Sequence, residues 1–332
     1  MRRRSFIRLL SSTIVMGSSL TAHGQQSGGM RRIGVLMSYP ETDPDAQAFL
    51  AAFRDGLRKL GWIERSNIRI DVRWTSPGNA EVMQQSAKEL VALQPDLLLG
   101  HTTTASLALQ KETRAIPIIF AWVSDPVGSG LVRSFPHPGG NVTGFMVMEP
   151  TMAGKWLELL HEIAPRVVGV AFLYNPATAT YAEYYLKPFK AVAASLGLEP
   201  IASPVHDESE LESAIAAQSR EPNGALLVMP DTFTDTHRAE ITSLAARYHL
   251  PAVCPFRFYA KVGCLLSYGN EAIDNFRRAA QYADRILKGE KPSDLPVQAP
   301  VNFVLTINLK TAKALGLDVP ALLQQRADEV IE

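Results

Sequence analysis

The sequence contains few cysteines, no excess of charge of either sign and no long apolar run beyond its first residues. Two cysteines in 332 residues argue against a disulfide-rich scaffold. The 33 basic and 33 acidic residues are mixed along the chain and give a formal net charge of zero, so we expect no nucleic-acid partner. Beyond the N-terminal segment, no apolar stretch reaches the roughly 20 residues needed to span a bilayer, and we expect a soluble mature chain.

The common sequence signatures of enzymes are also missing. No Gly-x-Gly-x-x-Gly follows the first apolar run, and no Gly-x-Ser-x-Gly nucleophile elbow occurs. His101 has no histidine, cysteine or carboxylate at a spacing suited to a shared metal ion. We therefore expect a protein without a metal, without a cofactor and without enzymatic activity.

The two cysteines, Cys254 and Cys264, are predicted to be free, buried thiols. Each is assigned to a strand of one parallel sheet, Cys254 to the end of one strand and Cys264 to the start of the next. That arrangement would hold their Cα atoms farther apart than the roughly 7 Å that a disulfide can bridge.

Residues 1–24 have the pattern of an export signal. Arg2, Arg3 and Arg4 precede a short apolar run at 7–20, and the small residues at 22–24 suit a signal peptidase, with cleavage near Gly24. The RRSFIR stretch at 3–8 also fits a twin-arginine signal, so the Sec and twin-arginine routes both stay open. We expect the mature protein in the periplasm.

After the signal, short apolar runs alternate with longer amphipathic stretches. Strands are predicted at 33–37, 68–74 and 96–99, with helices at 46–60 and 80–93 between them. Near-continuous apolar strands alternating with helices indicate an α/β fold with parallel sheets and right-handed crossovers.

The pattern then repeats about 130 residues later, which is about the length of one domain. RIGVLMSYP at 32–40 is echoed by VGVAFLYNP at 168–176, PDLLL at 95–99 by NGALLV at 223–228, and IPIIF at 116–120 by LPAVC at 250–254. Three echoes in the same order indicate a duplicated α/β unit.

The duplication predicts two doubly wound parallel-sheet lobes joined by a hinge of several strands. Lobe 1 is assigned to residues 31–145 plus 270–300, and lobe 2 to 146–269 plus 301–332. Ligands of open α/β sheets lie outside the carboxyl ends of the strands. The strand-end loops of both lobes therefore predict a cleft for a small molecule between them.

Five segments follow one another in an order that resembles a known family. They are SDPVGSGLV at 124–132, PGGNVTG at 138–144, ILKGEKP at 286–292, INLKTAKALG at 307–316 and ADEVI at 327–331. The chain from about Arg31 onward resembles the ABC transporter substrate-binding proteins of the tryptophan/tyrosine-type group. That resemblance implies a type 1 periplasmic-binding fold, a small ligand such as an aromatic amino acid, and delivery to a membrane permease and its ATPase. We expect a monomer.

Three polar residues are predicted to contact the ligand. Thr102 and Thr103 precede a helix whose N-terminus favours a carboxylate, although they suit an ordinary helix cap as well. Asp231 follows the equivalent strand of lobe 2 and suits a ligand ammonium group, or the cap of the following helix.

Further candidates lie at predicted strand ends. Aromatic side chains there could sandwich an apolar ligand or form plain core, and they are Tyr39, Trp122, Tyr174, Phe256 and Tyr268. Glu271 is predicted to close the cleft or to cap the next helix, whereas Ser124 and Asp125 are assigned to a turn with Pro126. A sensory protein that presents the same cleft to a membrane receptor is the alternative function.

Overall fold

The computed structural model describes residues 29–332, so the export-signal prediction for residues 1–24 lies outside the described residues. The chain forms two α/β lobes, each built on its own sheet. Within the described residues, no helix is both long and apolar enough to cross a membrane.

The first lobe begins with alternating strands and helices: β1 (Arg31–Met37), α1 (Pro44–Lys59), β2 (Ile68–Trp74), α2 (Ala80–Ala92), β3 (Leu97–Thr102), α3 (Thr103–Glu112), β4 (Ile118–Val123) and β5 (Val142–Met146). The sheet order is β2-β1-β3-β4-β5, and every pairing is parallel. Strands β3 and β4 are buried along their whole length, because helices cover both faces of the sheet.

The rest of the chain continues as α4 (Met152–Ile163), β6 (Gly169–Tyr174), α5 (Ala182–Leu196), β7 (Glu199–Pro204), α6 (Glu208–Gln218), β8 (Ala225–Val228), α7 (Thr232–Thr236), α8 (Arg238–Arg247), β9 (Ala252–Cys254), α9 (Arg257–Lys261), β10 (Leu266–Asn270), α10 (Ala272–Leu287), β11 (Phe303–Asn308), α11 (Leu309–Ala314), α12 (Ala321–Arg326) and β12 (Glu329–Ile331). A 3-10 turn at Pro292–Asp294 follows α10.

The second sheet has the order β12-β11-β10-β9-β8-β6-β7. It departs from the predicted all-parallel sheet at one place, since β11 is antiparallel to β10. The reversal arises because the chain leaves β10 for α10 and the first lobe, and then re-enters the second lobe from that side.

The sheet orders confirm the repeat seen in the sequence. The first sheet runs β2-β1-β3-β4-β5, and five neighbouring strands of the second run β7-β6-β8-β9-β10. Each strand of the first lobe thus has a counterpart in the same position. Equivalent strand ends, such as those of β3 and β8, therefore supply equivalent loops.

The chain passes between the two sheets three times within its described part: from β5 to α4, from β10 to α10, and through residues 298–303. Helix α10 packs on α1 of the first lobe so closely that a Cβ atom at Gly56 would lie 2.6 Å from the Cβ of Ala280. Gln298 pairs with the β5 region, where its backbone N–H donates to Gly144 (2.9 Å). The lobe limits given above stay a prediction.

The prediction of free thiols is wrong. A disulfide joins Cys254 to Cys264, whose Cα atoms lie 6.6 Å apart. The prediction placed Cys264 at the start of a strand, but β10 begins only at Leu266. Gly263, with a φ of 117°, turns the chain just before Cys264. The spacing of neighbouring strands therefore does not apply to this cysteine.

Replacing Cys254 and Cys264 together by alanine should lower the free energy of unfolding by about 2–3 kcal/mol, because the disulfide closes a short loop in the unfolded chain. Guanidinium titrations of the wild type and the variant, each with and without reductant, measure this. The reductant should bring the wild type to the midpoint of the variant and leave the variant unchanged. If the reductant does not change the unfolding midpoint of the wild type, the expectation is contradicted.

Candidate functional site

A cavity lies between the two lobes, at the carboxyl ends of their strands, and we call it the central cavity. It is narrow, and part of it is open to solvent. The first lobe contributes Thr102, Thr103, Thr104, Trp122, Ser124 and Val147, and the second contributes Thr178, Tyr181, Pro230, Asp231, Thr232 and Asp235. Loops at equivalent strand ends therefore meet here, as the duplication predicts.

The first-lobe wall is the N-terminus of helix α3. Thr102 caps the helix: its Oγ1 accepts from the backbone N–H of Ala105 (3.4 Å) and shares a hydrogen bond with Ser38 Oγ (2.7 Å). Thr103 Oγ1 accepts from the backbone N–H of Ser124 (3.3 Å). The first N–H groups of a helix lack intrahelical acceptors and carry the positive end of its dipole, so this wall favours an anionic group.

The second-lobe wall carries Asp231, which is 2% exposed. Its Oδ2 accepts from the backbone N–H of Asn175 (2.8 Å), and its Oδ1 accepts from that of Phe233 (3.2 Å), which makes it the cap of α7. Burial raises the pKa of Asp231 to about 6. The cap role is thus present, and a carboxylate with about four lone-pair directions keeps room for another donor.

Asp235, one helical turn after Asp231, is a second buried carboxylate. Its Oδ2 accepts from the hydroxyl of Tyr39 (2.7 Å) in the first lobe, and its Oδ1 accepts from that of Tyr259 (2.9 Å) in the second. Burial raises the pKa of Asp235 to about 8 despite these hydrogen bonds. Both of its oxygens are therefore engaged by tyrosines.

Neither carboxylate forms an ion pair within residues 29–332. Among the residues that the structure describes, no lysine, arginine or histidine forms an ion pair with Asp231 or Asp235. Arg238 instead crosses to the first lobe, where it pairs with Asp43 (3.0 Å) and Asp45 (2.8 Å). The cavity thus joins a wall that favours anions to a wall that favours cations.

The predicted aromatic residues do not gather around the central cavity. Trp122 lines it, and the Trp122 ring packs on that of Phe256 with centroids 4.8 Å apart. Phe256 and Glu271 lie beyond Trp122, in a neighbouring cavity of about 490 Å³. Tyr39 does not line the cavity, and its hydroxyl donates to Asp235.

Two further candidates line neither of these cavities. Tyr174 is partly buried at the end of β6. The ring of Tyr268 packs on that of Phe303 (5.9 Å between centroids), and its backbone carbonyl accepts from Trp156 Nε1 (2.7 Å). Glu271 lies 3.8 Å from Arg257 and its side chain makes no cap hydrogen bond to α10.

Several lining residues escaped the sequence analysis: Thr178, Tyr181, Thr232 and Asp235. Of these, only Asp235 could have been found from the sequence. Its spacing of four residues from Asp231 places both carboxylates on one face of a helix that starts at a strand end. Ser124, assigned to a turn, also lines the cavity. Thr178 and Tyr181 lie several residues after the end of β6, and only the folded loop brings them to the cavity.

One group of side chains at 29–332 could share a metal ion by geometry: Glu208, His237 and Glu240, whose ligand atoms lie within 4.8 Å of one another. His237 Nε2 is 3.3 Å from Glu208 Oε1, a pairing that needs no ion, and Glu208 is exposed. The group lines no part of the central cavity, and we assign no metal to it.

The replacement of Asp235 by asparagine should flatten the dependence of stability on pH. Burial raises the pKa of Asp235 from its ordinary 3.8 to about 8, so the folded protein holds a proton that the unfolded chain releases. Stability is therefore lost as the pH rises from about 4 to about 8, by at most about 1.4 kcal/mol per pH unit for one proton. Denaturant titrations at pH 5 to 8 measure this slope, and equal slopes in both proteins would refute the assignment.

Comparisons of the sequence and of the fold with known proteins identify a family of binding proteins. The family model described as ABC transporter substrate binding protein matches residues 37–331. A tyrosine-binding protein of Clostridioides difficile (strain R20291) is 24% identical over 331 residues, which cover 95% of this chain and 93% of the relative.

Two solved structures are similar over 91% of this chain and 100% of their own, each with 27% identity and a TM-score of 0.84. One is an ABC domain from Streptococcus pneumonia in complex with L-Trp, and the other is a conserved domain protein from Vibrio cholerae. The matched family consists of binding proteins and not of enzymes. The chain belongs to the family of ABC transporter substrate-binding proteins.

Proposed function

We propose that this protein is the periplasmic solute-binding component of an ABC importer and that it binds an amino acid in the central cavity. The observation that carries this proposal is the pairing of two opposite walls: the N-terminus of α3 on one lobe and the unpaired, buried Asp231 on the other. A zwitterion complements both walls at once.

Asp231 is the partner for the ammonium group. The oxygens of Asp235 are already engaged by Tyr39 and Tyr259, whereas those of Asp231 accept from backbone N–H groups. A buried carboxylate without a cation is costly, and an ammonium group supplies both the charge and the hydrogen bonds that it lacks. Binding would therefore shift Asp231 towards its ionised form.

The carboxylate of the ligand belongs at the opposite wall. The N-terminal N–H groups of α3 and the hydroxyls of Thr102 and Thr103 are donors there. Such an interaction contributes about 0.3–1 kcal/mol at an exposed helix end and up to about 2 kcal/mol in a partly buried one. Relatives named for tyrosine binding and solved with L-Trp support an aromatic amino acid as the ligand.

The contacts between the lobes support closure over the ligand. Tyr39 reaches Asp235 across the cleft, and Arg238 reaches Asp43 and Asp45. These side chains are largely buried, so opening the lobes would expose them and break the contacts. Closure by rotation about the three connecting segments is the motion that such a two-lobed protein uses.

The compartment and partners follow from the same proposal. The signal pattern at 1–24 and the disulfide between Cys254 and Cys264 suit an oxidising space outside the cytoplasm. The closed, loaded monomer would dock on a membrane permease served by its ATPase.

The replacement of Asp231 by asparagine should weaken the binding of L-tyrosine or L-tryptophan by about 10- to 100-fold, because a charge-assisted bond is lost while asparagine still caps α7. Calorimetry measures the affinity. The matched control is Asp207→Asn, which changes another aspartate cap, that of α6, at a residue that does not line the cavity. If both variants bind as the wild type does, Asp231 is only a cap.

The replacement of Arg238 by glutamine should raise the dissociation rate of the ligand by about 3- to 30-fold, because it leaves the partly buried carboxylates of Asp43 and Asp45 in the other lobe without their cation. Arg247→Gln is the control: Arg247 also stacks on an aromatic ring and pairs with a carboxylate, Glu212, but within the second lobe. Stopped-flow fluorescence measures the rates, and equal rates in the two variants would exclude a role of Arg238 in closure.

A further inference from the structure

A larger pocket adjoins the central cavity on the side of helices α2 and α3, and we call it the side pocket. It encloses about 810 Å³, part of it open to solvent. Thr104 of the first lobe and Thr178 and Thr232 of the second line both spaces. The two spaces are therefore neighbours, separated only by short side chains.

The walls of the central cavity differ in the size of their side chains and in how firmly those side chains are held. Away from the side pocket stand Trp122, whose ring is packed on Phe256, and Tyr181, whose hydroxyl donates to the backbone carbonyl of Pro230 (2.7 Å). These bulky rings are fixed by their contacts. Toward the side pocket the boundary consists of threonines, so that is the direction in which a ligand group can extend.

The lining of the side pocket is mostly apolar. Pro77 and Met83 come from the segment around α2, and Leu107 and Ala108 come from α3. Lys111 is the single charged residue in this lining, and in the part of the chain that the structure describes it forms no ion pair. Such a lining suits an apolar or aromatic group and disfavours a cationic one.

We propose that the side pocket receives the side chain of the bound amino acid, so that the central cavity and the side pocket form one two-part site. This inference rests on the proposed function. The ammonium and carboxylate groups bind at the two walls of the central cavity, and the side chain passes between Thr104, Thr178 and Thr232. The ligand class is then an amino acid with a large apolar or aromatic side chain that carries no positive charge.

The test fills the side pocket and leaves the central cavity intact. Ala80 is exposed, begins α2 and lines the pocket, so Ala80→Trp adds a ring there without disturbing the core. The control is Glu81→Trp, which adds the same ring at the next, exposed position outside this lining. Leu107→Trp fills the pocket from α3 as an independent second variant.

The measurement compares the dissociation constants of L-phenylalanine and L-alanine for each protein. In the wild type the phenyl ring should improve affinity by about 100-fold, as expected for burying a ring in an apolar pocket. Ala80→Trp and Leu107→Trp should weaken L-phenylalanine by about 10-fold or more and change L-alanine by less than about 3-fold, because filling the pocket removes only the contacts of the ring. Glu81→Trp should change neither.

The outcomes separate the two proposals. If the wild type binds L-phenylalanine and both pocket-filling variants bind it equally well, or if they weaken both ligands equally, the side pocket does not hold the side chain, while the proposed function stands. If the wild type binds no amino acid at all, the proposed function fails and this inference fails with it.

Discussion

The burial of two carboxylates between the lobes is the constraint on which the rest of the structure depends. Asp231 caps a short helix that contains Asp235, both are almost without exposure, and neither forms an ion pair with another residue of 29–332. Burying an unpaired charge is costly, so each is held by hydrogen-bond donors or keeps its proton. One donor to Asp235, the hydroxyl of Tyr39, belongs to the other lobe. The polar chemistry of the cavity and the contact between the lobes are therefore coupled.

The duplication explains why these groups meet, and it is the part that the sequence predicts well. Parallel strands read as apolar runs, and three echoes of those runs predicted two sheets of equal order. Because ligand loops follow the carboxyl ends of such strands, Thr102, Thr103 and Asp231 could be placed at one cleft from the sequence alone. The structure places all three at the central cavity, after β3 and its counterpart β8.

The positions of the predicted aromatic residues and of the disulfide could not be read from the strand ends alone. Side chains alternate between the two faces of a strand, so an aromatic residue near a strand end can point into the core as easily as into a cleft. Tyr268 packs on Phe303 for that reason, and Phe256 lies on the far side of Trp122. The disulfide was missed because the turn at Gly263 repositions Cys264 before β10 begins.

The two lobes repeat in topology but differ in the charge they offer, and under the proposed function this difference selects the ligand. The first lobe presents a helix N-terminus and the second presents Asp231. A simple carboxylic acid would satisfy the first wall and leave Asp231 buried beside an apolar group, while an amine would do the reverse. Each mismatch leaves a buried polar group without its partner, which costs about 1–3 kcal/mol and more for a charge. In the arrangement that we propose, a zwitterion would gain from both walls at once.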